Sequence, residues 1–254
     1  LIEKGNTGID IILNSKILYK LIDKTKFAIS NEETRYFLNG LYFNVTNDSN
    51  KNIVTLVGTD GHRLAKFSHE IDGKIDQVSG VIIPKKTIYE LSKLLSEIDV
   101  DINISISSNK VVFNIGEIIF ISKLIDGSFP DYKRVIPTDN TNVLKISRDK
   151  LLSAVDRVST IANEKSPVVK FKLLKNVLNL NTVNNESSTA SEDLMINYNG
   201  DEIEIGFNSK YIMDIVNNLE DPEISINLKD NTSPIIAQEN SNTNLVYVLM
   251  PMRV

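Results

Sequence analysis

A carboxylate, an imidazole and a guanidinium, those of Asp60, His62 and Arg63, are set close together beside two glycines in the run Val57-Gly58-Thr59-Asp60-Gly61-His62-Arg63-Leu64-Ala65. An acid next to an imidazole can move a proton or hold a divalent metal, and an arginine beside them can meet a phosphate. The same residues have a plainer use. Asp60-Gly61 is a hairpin-turn former, and an aspartate ahead of a glycine caps its own turn. The chain holds two histidines, His62 and His69, and no cysteine. A zinc site draws on three or four His, Cys or carboxylate ligands, which these residues supply poorly. No glycine-rich phosphate loop, serine elbow or Walker-type lysine is present. The reading is a binding protein with no catalytic residues, no metal and no cofactor. The alternative is a metal-dependent phosphoesterase using Asp60 and His62.

The elements that hold this turn follow from hydrophobic spacing. Asn52–Val57 is apolar and β-branched and reads as a strand, and Leu64–Phe67 as the next. Ahead of them, Ile9–Leu13 is a strand, and Asn14 or Ser15 caps a helix to about Phe27, with Ile17, Leu18, Leu21 and Ile22 inward. Tyr36–Asn44 and Gly80–Pro84 read as strands. Pro84 opens a helix over Lys85–Leu95. Asp101–Ser107, Lys110–Asn114 and Glu117–Ser122 are strands, with Ser108-Asn109 a tight turn. In the second half, Val143–Ile146 is a strand, and Ser147 caps a helix from Arg148 to about Ile161. Strands follow at Val168–Leu174, Val177–Thr182 and Glu202–Phe207, then a helix over Ser209–Leu219. Glu223–Leu228, Pro234–Gln238 and Leu245–Leu249 are the last strands.

The halves repeat. At an offset of about 122 residues, Tyr89 falls on Tyr211, Leu91 on Met213, Leu94 on Val216, and Ile102, Ile104 and Ile106 on Ile224, Ile226 and Leu228. The earlier elements match less tidily, Leu18 and Ile22 falling on Leu151 and Val155. Two copies of one domain are therefore expected, 1–134 and 135–254, joined where Pro137, Thr138, Asp139 and Asn140 form a polar linker. The fold class is α+β, with two helices packed on antiparallel sheets in each copy.

The 254 residues suit two domains, and 41% apolar with 24% charged residues is ordinary for a globular protein. The absence of cysteine suits a reducing cytoplasm. No apolar run approaches the roughly 18 residues of a membrane span, and Glu3, Lys4 and Asp10 break any signal peptide. Net charge is −5. Residues 1–134 hold 17 Lys+Arg against 17 Asp+Glu, and residues 135–254 hold 11 against 16, so 0 and −5 make the total. A strongly basic DNA-binding domain is excluded, and contact with nucleic acid must be local or weak. Lys16, Lys20 and Lys24 fall at i, i+4 and i+8 on the first helix and would form a basic stripe about 12 Å long. The terminus is apolar, with Pro251 between Met250 and Met252, and reads as a soft docking surface after a final core strand.

Thr59–Ala65, the stretch Ser122–Pro137 with Asp126-Gly127-Ser128-Phe129-Pro130-Asp131-Tyr132, and the terminus Tyr247–Val254 resemble signatures of the bacterial DNA sliding clamp, the beta subunit of DNA polymerase III. Arg35–Gly40 and Gly206-Phe207-Asn208 fit as well. The matches run in order over nearly the whole chain. The resemblance implies a non-catalytic processivity factor in the cytoplasm. It implies the second and third of three clamp domains, the first being missing, and a homodimeric ring around double-stranded DNA when full length. Without that domain the chain is expected to be mainly monomeric. The resemblance also implies a groove for short peptides, with Gln followed by Leu and Phe, from the polymerase III alpha subunit, the clamp loader and other polymerases or repair proteins. The matched positions are Leu38, Thr59, Gly61, His62, Arg63, Leu64, Pro130, Arg134, Val135, Asn208, Tyr211, Pro234, Met250, Pro251, Met252 and Arg253. Leu38, Leu64 and Val135 would line it, and Arg63 and Arg253 would stand at its rim. Two departures, Pro234 and Ser166-Pro167 after Asn163-Glu164-Lys165, fall at the rim. DNA contacts are expected from Lys16, Lys20, Lys24, Tyr36, Phe37, Lys85, Lys86, Arg148, Lys150 and Lys210, with Glu32 and Glu33 weakening the match before Tyr36. The subunit face is expected at Thr160 and Ile161.

Overall fold

The computed structural model describes residues 9–48, 51–72, 78–162, 167–184 and 188–253. The chain divides into two compact units, Leu1–Pro130 and Asp131–Val254, four residues ahead of the boundary expected from the linker. The difference is the short 3-10 helix Tyr132–Val135, which belongs to the second unit.

In the first unit the order is β1 (Ile9–Asn14), α1 (Ser15–Asp23), β2 (Gly40–Asp48), β3 (Lys51–Thr59), β4 (Arg63–Ile71), β5 (Val78–Pro84), α2 (Lys85–Leu95), β6 (Asp101–Ile106), β7 (Lys110–Ile115) and β8 (Ile118–Lys123). These strands hydrogen-bond in the orders β1-β6-β7-β8 and β5-β2-β3-β4. In the second unit the order is β9 (Asn142–Ser147), α3 (Arg148–Ser159), β10 (Val168–Leu174), β11 (Val177–Asn184), β12 (Ser188–Met195), β13 (Ile203–Asn208), α4 (Ser209–Asn218), β14 (Glu223–Leu228), β15 (Ile235–Glu239) and β16 (Leu245–Leu249). Its strands run β9-β14-β15-β16 and β13-β10-β11-β12. Element for element the two units have one topology, as the sequence repeat predicts.

Each core follows from amphipathic elements. In the first unit α1 packs against α2, and Leu18, Leu21, Ile22, Ile88, Leu91 and Leu95 are buried with Ile102, Ile104, Val111 and Phe113 of the sheet. In the second, α3 and α4 bury Leu151, Val155, Val158, Ile212, Ile215 and Val216, and the rings of Phe171 and Phe207 meet edge to face at 5.2 Å. A buried leucine or isoleucine contributes about 1.5–3 kcal/mol, so these stripes dominate the stability of both units.

The helix ends are set locally. Asn14 caps α1, its side chain accepting from Lys16 N–H at 2.9 Å, and Asn208 caps α4 by accepting from Lys210 and Tyr211. Ser147 stands at the N-cap of α3 as expected, but its side chain makes no capping bond. Helix α1 is shorter than expected and stops at Asp23, with a 3-10 turn over Lys26–Ala28. Tyr36 and Phe37 are not in a strand. They lie in the 3-10 segment Glu33–Leu38, and β2 begins after it at Gly40. Strand β12 was not expected, because its outward positions are polar. No helix among the described residues is long and apolar enough to cross a membrane.

Candidate functional site

The motif that opened the sequence is the β3–β4 turn of the first unit. Thr59 faces Leu64 in the ladder, and Asp60, Gly61 and His62 make the reversal. The Asp60 carboxylate accepts from the backbone N–H of His62 at 2.9 Å and of Arg63 at 3.0 Å, and from Arg63 Nε at 3.1 Å. Thr59 Oγ1 donates to Arg63 O at 2.7 Å and accepts from Gly61 N–H at 3.1 Å. Gly61 has φ +88°, a left-handed conformation in which a Cβ is strained, and a Cβ there would also meet Arg35 Nη1. Arg35 grips both oxygens of Glu32 at 2.7 Å and donates to Asp60 O at 3.1 Å. The hydrogen bonding of Arg35 to Glu32 holds the Glu32 carboxyl below its usual range, with smaller contributions from the charges of Arg35 and His62.

Asp60 caps its own turn, as the Asp-Gly pair implies, and nothing in this geometry supports the phosphoesterase alternative. Among the described residues no group of three or more His, Cys, Asp or Glu is placed to hold a metal. Arg63 does not stand at a rim. Its side chain is mostly buried, donates to Phe27 O at 3.0 Å and lies over the Phe27 ring, 5.2 Å from the centroid. It locks the turn, which leaves His62 as the exposed ring at its tip. Leu38 and Leu64 are each only 3% exposed and lie in the core, so they offer little surface to a ligand. Pro130 is exposed at the end of the unit.

In the second unit the apolar terminus divides in two. Tyr247, Val248 and Leu249 are buried in β16. Met250 is 41% exposed, and Pro251 and Met252 are half-buried. The tail is tied down, because Met252 N–H donates to Gly206 O of β13 at 2.8 Å. Arg253 is exposed, and Val254 lies outside the described residues. Beside Met250 is a pocket of about 310 Å³. Val135, Pro137, Pro234 and Met250 give it apolar walls, and Arg134, Asp139 and Lys229 charge its margin. Val135 is 49% exposed. Pro234 is held by Asn140, whose Nδ2 donates to Pro234 O and Asn227 O, both at 2.9 Å. Lys229 Nζ lies 2.8 Å from Asp139, which lowers the carboxyl and raises the ammonium from their ordinary values. Arg134 is highly exposed and pairs with Asp131 at 2.9 Å.

The pocket thus brings together Arg134, Val135, Pro234 and Met250 of the expected set. It adds Pro137, Asp139, Asn140, Lys229 and Ser233, which the sequence reading did not assign to a site. Asp139 and Asn140 read as linker, since their partners are some 90 residues away. Asn208 and Tyr211 stand at the start of α4, where the Asn208 Oδ1 is engaged as its cap. Of the rim departure Ser166-Pro167, Ser166 and the preceding Asn163-Glu164-Lys165 lie outside the described residues, while Pro167 is buried and accepts from Ser209 N–H at 2.8 Å.

The expected DNA residues have mixed settings. Lys16 is exposed and 2.5 Å from Asp99, and Lys20 is exposed. Lys24 follows the end of α1 as its C-cap and is 6% exposed, so the stripe presents two lysines rather than three. Lys85 donates to Asn31 and lies over the Tyr89 ring, while Lys86, Lys150 and Lys210 are exposed. Tyr36 is exposed and meets Phe37 edge to face at 5.9 Å. Arg148 points back to the end of α4, donating from Nε to Val216 O at 3.2 Å. Thr160 is the C-cap of α3, donating to Asp156 O at 3.1 Å, and Ile161 is half-buried.

Comparison with known proteins bears on both units. Residues 12–131 match the family described as DNA polymerase III beta subunit, central domain, and residues 133–253 match the C-terminal domain of the same subunit. The beta sliding clamp of Caulobacter vibrioides is 40% identical over 244 residues, covering 96% of this chain and 66% of the relative. That of Escherichia coli K12 is 35% identical over 252 residues, covering 99% and 68%. The chain therefore spans about two thirds of the length of these relatives. Among solved structures, a DnaN sliding clamp from Bartonella birtlesii bound to griselimycin superposes with a TM-score of 0.94 at 45% identity, covering 98% of this chain and 67% of that one. A DNA polymerase sliding clamp from Caulobacter crescentus does so with 0.93 at 38%, covering 100% and 68%. With both family domains matched in order and two units of one topology, the chain belongs to the family of bacterial DNA polymerase III beta subunits, the beta sliding clamps, as its central and C-terminal domains.

Proposed function

We propose that the chain serves as part of a DNA sliding clamp, a non-catalytic processivity factor of the bacterial cytoplasm that keeps the replicative polymerase on duplex DNA by docking short peptides. The observation that carries this reading is the half-exposed apolar pocket beside a C-terminal tail that is pinned in place. A peptide with Gln followed by Leu and Phe would set an apolar side chain against Val135, Pro234 and Met250. Two buried side chains gain about 1.5–3 kcal/mol each, and ordering the peptide offsets much of that, so micromolar affinity is expected. Arg134, Pro251, Met252 and Arg253 border the pocket or the tail, and Asn208 and Tyr211 stand beside Gly206, to which the tail is bonded. In the first unit Thr59, Gly61 and Arg63 serve by shaping the turn that presents His62.

Partners of this chemistry are the polymerase III alpha subunit, the clamp loader and other polymerases or repair proteins. Double-stranded DNA would be held weakly, through Lys16, Lys20, Lys86, Lys150 and Lys210, since the overall charge of −5 opposes tight binding. Weak phosphate contacts suit a protein that must slide. Fluorescence polarisation of a labelled Gln–Leu–Phe peptide tests the reading. Saturable binding at micromolar chain, lost when Leu and Phe are replaced by Ala, is expected. Indifference to those replacements would overturn it.

A further inference from the structure

Beside the peptide pocket the linker is stitched to the β14–β15 hairpin. That ladder pairs residues as far as Asn227 with Ile236. Pro234, just beyond it, has no N–H and cannot extend it. The Asn140 amide bridges the two strands there: its Nδ2 donates to Asn227 O on β14 and to Pro234 O ahead of β15, both at 2.9 Å. A proline backbone has no polar group besides its carbonyl, so this bond leaves Pro234 only its ring to show the pocket. The turn between the strands is stiff in itself. The Asp230 carboxylate accepts from the N–H of Thr232 at 2.8 Å and of Ser233 at 2.7 Å, and from both hydroxyls at 2.9 Å. The turn therefore moves as one body, hinged where the ladder ends, and carries Pro234 with it. A second tie, from Lys229 Nζ to Asp139 at 2.8 Å, joins side chains that are 48% and 62% exposed, and such a pair is weak in water. The Asn140 bonds are partly buried, and among the described residues its Oδ1 accepts from none, so the amide is engaged through its donor side.

We infer that Asn140 is the positioning residue of this pocket, a role that rests on the peptide docking proposed above. Its work is done on the wall and not on the peptide. It holds the Pro234 ring in the lining that Pro234 shares with Val135 and Met250, so that the apolar slot exists before a peptide arrives. A peptide that meets a formed slot does not have to order the wall as it binds, and its affinity is higher for that reason. Without the two Asn140 bonds the closed wall falls from most of the molecules to about a tenth of them, a shift within the reach of two partly buried hydrogen bonds. Apparent affinity falls in the same proportion.

Two variants of the whole chain test this, Asn140→Ala and Asn140→Asp, the second keeping the shape of the side chain but unable to donate. Asn140 is half-buried on the linker, so circular dichroism should find both folded. Stopped-flow binding of the Gln–Leu–Phe peptide should give an association rate about tenfold lower and an unchanged dissociation rate, because only molecules with the closed wall bind. Met250→Ala, which removes a contact, should raise the dissociation rate instead. Hydrogen exchange of the peptide-free chain over Leu228–Ile236 should be about tenfold faster in both Asn140 variants. Unchanged exchange overturns the inference whether or not the peptide binds. Unchanged affinity overturns it too, and so does a loss carried by faster dissociation, which would make Asn140 a peptide contact. Faster exchange in the variants, with no peptide binding by the unsubstituted chain, refutes the docking reading and the positioning role together, while the hold of Asn140 on Pro234 stands.

Discussion

Asp60→Ala should destabilise the first unit by about 2–3 kcal/mol. The figure comes from three bonds made by one carboxylate. The N–H of His62, at 2.9 Å, is exposed and regains water, so its loss costs about 0.5 kcal/mol. The N–H of Arg63, at 3.0 Å, is partly buried, and its loss costs about 1 kcal/mol. The third bond, from Arg63 Nε at 3.1 Å, joins two side chains that are 10% and 15% exposed. Removing its acceptor leaves a largely buried guanidinium with Phe27 O and the Phe27 ring, at a cost of about 1 kcal/mol or somewhat more. Asp60→Asn keeps an oxygen for the two backbone groups and loses the charge, so about 1 kcal/mol is expected. Urea unfolding followed by circular dichroism reads both. A loss below about 0.5 kcal/mol for Asp60→Ala, or equal losses for Ala and Asn, would refute the assignment of this carboxylate as the cap of the turn.

Lys16→Ala with Lys20→Ala should lower the salt slope of DNA binding by at most about 2 units, near 0.9 per phosphate contact, measured by filter binding across a salt series. Lys24→Ala should instead act on stability, since that side chain is buried at the end of α1. The Asp230 carboxyl is held down to about 2 by hydrogen bonds, first from the Thr232 N–H and then from Ser233 and Thr232. Its folded value lies below its unfolded one, so what it contributes is present above the ordinary carboxylate range and is lost as pH falls toward 2. The Thr232 and Ser233 amide signals should hold their positions to about pH 3 and move below it, and movement centred near pH 4 would contradict the geometry.

The repeat was legible because the apolar stripes of α2 and α4, and of β6 and β14, keep their spacing at one offset. Strand β12 was not, because Ser188-Thr189-Ala190-Ser191-Glu192-Asp193 has no apolar alternation. Its place comes from pairing with β11 and from Arg157, which grips Glu192 from α3. Tyr36 and Phe37 have strand composition, and the 3-10 turn that carries them is joined to the rest by Asn39 N–H donating to Tyr36 O and Arg35 bonding to Asp60 O. The direction of Arg63 depends on Phe27, 36 residues earlier, which no local pattern exposes. Resemblance pointed to the turn and the tail. It did not find that Arg63 and Leu64 are turned inward, or that Asn140 fixes Pro234.

Removing Met250–Val254 would be a blunt test of the tail, since it also breaks the bond from Met252 to Gly206. Met250→Ala leaves that bond in place. Met250 is 41% exposed, so a bound peptide can cover that share of a side chain whose full burial is worth about 1.5–3 kcal/mol, or about three- to eightfold in affinity. Calorimetric titration of the Gln–Leu–Phe peptide into the chain and into the Met250→Ala chain is the most direct test of the peptide site. Micromolar binding to the first and about three- to eightfold weaker binding to the second is expected. Equal affinity in the two would place the site elsewhere and contradict the account.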